Sequence, residues 1–128
     1  MIKNKTTLWR NFSRAIRQKQ ANHQGQVSCV SCGRVFNWQD TDCGHFFENT
    51  ERKQDWGGNE LWYNEKNFGT QCPRCNRFAS AEGKQEWTAR FIAIHGQKVY
   101  DNLKSLREIP KKWTPEEVND IINKIKKG

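Results

Sequence analysis

Leu8, Phe12, Ala15 and Ile16 fall on one helical face, while Arg10, Arg14 and Arg17 recur at i, i+4, i+7 along another. With Thr6-Thr7 ahead, this pattern predicts an amphipathic helix ending near Gly25. From Val27 the period shortens. Residues 27–29 and 34–38 read as small strands, with Gly33 in a turn that calls for an unusual backbone angle, and residues 43–47 read as another strand. Residues 48–59 are polar and contain Gly57-Gly58, which predicts a long loop. Leu61-Trp62-Tyr63 reads as a short apolar strand, and the segment from Asn67 as the lead into a helix carrying Cys72 and Cys75. Trp87, Phe91 and Ile94 then share a face before His95-Gly96, and Val99, Leu103 and Leu106 do so before Pro110. Thr114-Pro115-Glu116-Glu117 places an N-cap, a first-turn proline and a capping-box glutamate ahead of Val118, Ile121, Ile122 and Ile125. Three helices are therefore expected to end the chain.

Mixed short strands and helices over 128 residues predict one α+β domain. Its layout is a basic N-terminal helix over residues 1–25, a central core over 26–96 and C-terminal helices over 97–128. Hydrophobic residues are only 34% and the mean hydropathy is -1.03, so the core is small and a structural metal would add stability that apolar burial cannot. Six tryptophans and seven phenylalanines concentrate the apolar area in few side chains. No run approaches a membrane span, and the start Met-Ile-Lys-Asn-Lys lacks the apolar stretch of a secretory signal, so the expected location is the cytoplasm.

Cys29-Val-Ser-Cys32 and Cys72-Pro-Arg-Cys75 are two turns whose two-residue spacers each bring a pair of sulfurs to one side of a metal. Together they supply four thiolates for one Zn²⁺. A site closed by four thiolates has no open position for water, so this zinc would be structural. Cys43, the fifth cysteine, reads as a small strand residue and not a ligand. Gly44-His45 between the pairs and Asn76 directly after the second then stand on a zinc-fixed frame, a pattern that suggests a metal-dependent nuclease.

The net charge is +8 with a pI near 9.4, and the surplus sits at the termini. Residues 1–25 carry Lys3, Lys5, Arg10, Arg14, Arg17 and Lys19 with no acid, residues 26–80 balance six bases against seven acids, and residues 81–128 carry ten against seven. This layout fits a polyanion, with Arg10, Arg14, Arg17 and Lys19 as the candidate DNA contacts.

Phe12-Ser13 and Ile16-Arg17, Cys29-Val-Ser-Cys32-Gly33, Asp42-Cys43-Gly44-His45-Phe46, Asn64-Glu65-Lys66-Asn67, Gln71-Cys72-Pro73-Arg74-Cys75-Asn76 and Ile94-His95-Gly96 follow one another in an order and spacing that resembles the phage NinG (Rap) recombination proteins. Within them, His45, Asn67 and Asn76 resemble the lettered positions of HNH endonucleases, which implies a zinc-stapled ββα-metal (HNH) core. The resemblance implies that His45 deprotonates water, that Asn67 orients the imidazole through its side-chain or backbone oxygen, and that Asn76 helps hold Mg²⁺ or Mn²⁺. Many HNH enzymes carry an Asp directly before the catalytic His, where this chain has Gly44. Asp42 shares a strand face with Gly44, about 7 Å further along, and reads either as a substitute ligand or as a turn-forming residue. Taken without that context, Asn67 and Asn76 read as helix caps.

The resemblance thus implies a metal-dependent endonuclease acting on branched DNA such as Holliday junctions, in the bacterial host cell, with a homodimer on DNA supplying two active sites. The apolar face of the last helix is the candidate dimer contact, or else packs within the chain. Two other classes remain: a zinc-stabilised DNA-binding recombination accessory without catalysis, and a zinc-stabilised protein-interaction domain, which leaves the Arg stripe unexplained.

Overall fold

The structure, a computed structural model, describes residues 2–48, 58–78 and 80–128. Helix α1 (Lys5–Gln20) is capped by Asn4, whose side chain accepts from the Thr7 N–H at 3.0 Å. It ends short of Gly25, because the Asn22 side chain accepts from the Gln24 and Gln26 N–H groups at 2.9 Å and draws the backbone into a turn. Strands β1 (Gln26–Ser28) and β2 (Val35–Asn37) pair antiparallel with Val27 opposite Phe36. The turn between them carries Cys29 and Cys32, and Gly33 follows at φ 78° with its N–H donating to the Cys29 carbonyl.

Strand β3 (Asp42–His45) pairs antiparallel with β4 (Phe68–Gln71), Asp42 opposite Gln71 and His45 opposite Phe68. Here the structure corrects the sequence reading. Residues 61–63 form a turn and not a strand, folded around Asn59, which accepts from the Leu61 N–H through its side chain and from Trp62 through its carbonyl. The strand beside β3 lies in the segment expected to lead directly into a helix. All four residues of β4 are buried, so it lacks the alternation that marks a half-exposed strand. The expected 48–59 loop lies almost wholly outside the described residues.

Helix α2 (Pro73–Arg77) follows directly, then α3 (Ala81–His95), α4 (Gln97–Ser105) and α5 (Pro115–Lys127). The capping box of α5 is formed as its sequence predicts, Thr114 and Glu117 bonding reciprocally. On α3, Trp87 and Phe91 are buried but Ile94 is 75% exposed, since the chain turns away two residues later at Gly96, φ 91°.

One core cluster joins Leu8, Phe12, Ala15 and Ile16 of α1 to Val118, Ile122 and Ile125 of α5, with Tyr63, Phe68 and Trp113. The apolar face of α5 is thus covered by its own chain, which removes it as the expected homodimer contact. A second cluster gathers Phe46, Phe47, Leu61, Trp87, Phe91 and Leu103. Strand β3 leads from the first cluster into the second. Among the described residues no helix is long and apolar enough to cross a membrane.

Candidate metal centre and adjoining cleft

The β1–β2 turn and the start of α2 bring Cys29, Cys32, Cys72 and Cys75 together, with every pair of sulfurs within 4.8 Å and Cys32 Sγ 4.0 Å from Cys72 Sγ. Tetrahedral zinc with Zn–S bonds of about 2.3 Å needs sulfurs about 3.8 Å apart, so this donor set fits the ion after a small contraction. Burial pushes the Cys29 thiol up, but the N–H groups of Cys32, Cys72 and Ser31 around its sulfur outweigh that and bring it down to about 7. Burial and the neighbouring sulfurs of Cys72 and Cys29 raise Cys75. Four crowded thiols cannot all ionise alone, whereas a divalent ion stabilises all four thiolates. Cys43 is buried on β3 and burial drives its thiol up to about 12, which fits an inert packing residue.

The four-cysteine frame is tied directly to β4. The Val30 N–H donates to the Thr70 carbonyl at 2.9 Å, and Gln71 Nε2 donates to Ser31 Oγ at 2.8 Å. From α3, Arg90 donates to the Val30 carbonyl at 2.5 Å. Asn76, one residue past Cys75, donates from Nδ2 to Asp42 Oδ2 at 3.2 Å. The two residues considered for a catalytic ion therefore stand side by side.

His45 ends β3 with its ring parallel to Trp9 at 5.6 Å between centroids and against Phe68 at 4.9 Å. Asp42, His45 and Asn76 line one cavity of about 1000 Å³, together with residues 41, 43 and 46–48. Asp42 and His45 stand on opposite faces of the strand, yet both reach this space. The sequence reading did not single out Trp9; its only signal is its place beside the buried stripe of α1.

Asn67 is fully buried, and its amide and carbonyl bond the backbone that follows His45. Its Oδ1 accepts from the Phe47 N–H at 2.8 Å, its Nδ2 donates to the Phe47 carbonyl at 3.1 Å, and its own carbonyl accepts from the Phe46 N–H at 2.7 Å. Both oxygens proposed for the imidazole thus serve the backbone just after His45, extending the ladder beyond β3. Asn67→Ala would strand the Phe47 N–H and carbonyl, so a loss of about 1–3 kcal/mol per orphaned group is expected in urea denaturation.

Gly44 has a local reason. A Cβ at this position would run into the Gln71 side chain, which crosses from the neighbouring strand to reach Ser31. Gly44→Asp, which places a carboxylate directly before His45, is therefore expected to destabilise by about 1–3 kcal/mol through overpacking. Gln71→Gly in the same chain should recover part of that loss in thermal melts, and a loss undiminished in the double variant would refute the clash.

The basic stripe divides. Arg17 donates to the carbonyls of Thr41 at 2.9 Å, Trp38 at 3.3 Å and Ser13 at 3.2 Å, anchoring the approach to β3. Lys19 pairs with Glu65 at 2.9 Å on the surface. Arg10 and Arg14 are exposed. Arg17→Ala is expected to cost about 1.5–3 kcal/mol in stability, as for hydrogen bonds to a charged group. Arg10→Ala with Arg14→Ala should leave stability within about 0.5 kcal/mol yet reduce the salt dependence of DNA binding by about two phosphate contacts. Chemical denaturation and salt-titrated binding read the two effects separately.

Comparison with curated proteins and with solved structures finds no match to this chain. The family model described as bacteriophage Lambda NinG protein matches residues 2–128, nearly the whole sequence. The chain belongs to the bacteriophage Lambda NinG protein family.

Proposed function

We propose that this member of a phage recombination family is a metal-dependent DNA endonuclease of the HNH type, acting on branched intermediates such as four-way junctions. The observation that carries the reading is the meeting of Asp42, Asn76 and His45 in one cavity, directly beside four clustered cysteines. The Asp42 carboxylate and Asn76 amide are hard oxygen donors suited to Mg²⁺ or Mn²⁺, which when bound would neutralise charge on the phosphate and leaving oxygen. His45, fixed between the Trp9 and Phe68 rings, takes the proton from the attacking water. Asn67 keeps the backbone after His45 in place, so its part is positioning. Cys29, Cys32, Cys72 and Cys75 would hold a structural zinc, which would fix the start of α2, and with it Asn76, beside Asp42.

Labelled four-way junction, linear duplex and single strand, each incubated with and without Mg²⁺ or Mn²⁺, test this directly. Cleavage of the junction only with the divalent ion is expected. Tight junction binding with no product under any metal condition would instead identify a non-catalytic DNA-binding accessory.

A further inference from the structure

Lys84, in the first turn of α3, and Arg107, in the 3-10 turn Leu106–Glu108 after α4, take no part in the chemistry above, yet both line the His45 cavity. The Lys84 side chain reaches solvent, but its ammonium lies over aromatic faces, 4.1 Å from the Phe46 centroid, 5.3 Å from Phe47 and 5.6 Å from Trp87. The Arg107 guanidinium sits 5.5 Å over the same Phe47 ring. Its Nε is buried and has no hydrogen-bond partner among the described residues. A buried donor left unfilled is costly, and a second cation nearby adds repulsion. Desolvation first, then Arg107, lowers the Lys84 ammonium to about 8, against the opposing pull of Glu48. Ser80 and Gly83, at the N-terminal end of α3, line the same cavity and bring the positive end of the helix dipole to it. Aromatic faces hold the two cations but do not fill the Arg107 donor. An anion with several oxygens would satisfy both.

We propose that Lys84 and Arg107 form a subsite for a backbone phosphate of the DNA strand that enters the His45 cleft. A guanidinium donates in a planar fork to phosphate oxygens and an ammonium adds a mobile point charge, a combination suited to backbone contacts that position a strand without reading its sequence. Because the Phe46–Phe47 floor follows His45 directly in the chain, a phosphate held there sets the strand's register on the imidazole. The inference rests on the DNA-binding half of the proposed function and not on cleavage.

The test is fluorescence anisotropy of the full, zinc-loaded chain with labelled four-way junction across a KCl series, without added Mg²⁺ or Mn²⁺. Lys84→Gln and Arg107→Gln are each expected to lower affinity about tenfold and to reduce the salt slope by about one. Glu48→Gln removes the acid that opposes the pair from an exposed position, and should tighten binding several-fold. Zinc content and circular dichroism report the fold of each variant. Wild-type affinity and slope in a folded Arg107→Gln protein would overturn the subsite; should the Gln variants fail to fold, unchanged affinity in Glu48→Gln would do so. Weakened binding alongside a wild type that never cuts would keep the subsite and defeat the nuclease reading. Metal-dependent cutting with undiminished binding by the variants would do the reverse.

Discussion

Cys72→Ser is expected to yield a chain that holds little zinc and does not fold. The wild type should carry about one Zn²⁺ per chain, since its four sulfurs already lie within 4.8 Å of one another. Structural zinc contributes roughly 10–16 kcal/mol of apparent binding energy in small metal-folded units, comparable with the whole stability of a typical domain, about 5–15 kcal/mol. Cys72 also occupies the junction between β4 and α2, so its loss would release Asn76 from Asp42 as well as the β1–β2 turn from its partner. Elemental analysis and a thermal melt decide this. Cys43→Ser supplies the contrast: its sulfur stands outside the four-cysteine cluster, so full zinc content is expected to persist. Metal-free wild type that melts natively, with Cys–Cys crosslinks in place of zinc, would contradict the metal frame.

The helices and the cysteine turns were legible because their signals are local. The α1 stripe, the α5 capping box and the two Cys-x-x-Cys spacings each follow from residues a few positions apart, and the structure forms each of them. The partner of β3 was not legible, since Phe68–Gln71 is buried on both faces and shows no period, while Leu61 and Tyr63 are apolar because a turn inside the core buries them. The Asp42–Asn76 contact depends on a strand register and a helix start 34 residues apart, which only pairing of the chain can fix. Arg17 shows the limit of charge patterning: its spacing matched a phosphate-facing stripe, yet its guanidinium is occupied by three main-chain carbonyls. Lys84 and Arg107 come from separate helical segments and meet over the phenylalanines that follow His45, a juxtaposition with no sequence signature.

His45→Ala is expected to lower metal-dependent junction cleavage by about 10²–10⁴, the usual contribution of a positioned general base. Zinc content and junction affinity should stay near wild type, because the role proposed for the imidazole is proton transfer and the phosphate contacts are proposed for other residues. Trimming the ring leaves space beside Trp9 and Phe68, so a melt accompanies the assay to show that the fold persists. Single-turnover cleavage of a labelled four-way junction in Mg²⁺, wild type beside His45→Ala at saturating protein, tests the account most directly. A wild type that cuts and a folded, zinc-loaded, junction-binding variant slowed by two to four orders of magnitude is the predicted result. A His45→Ala protein that cuts as fast as wild type would contradict it.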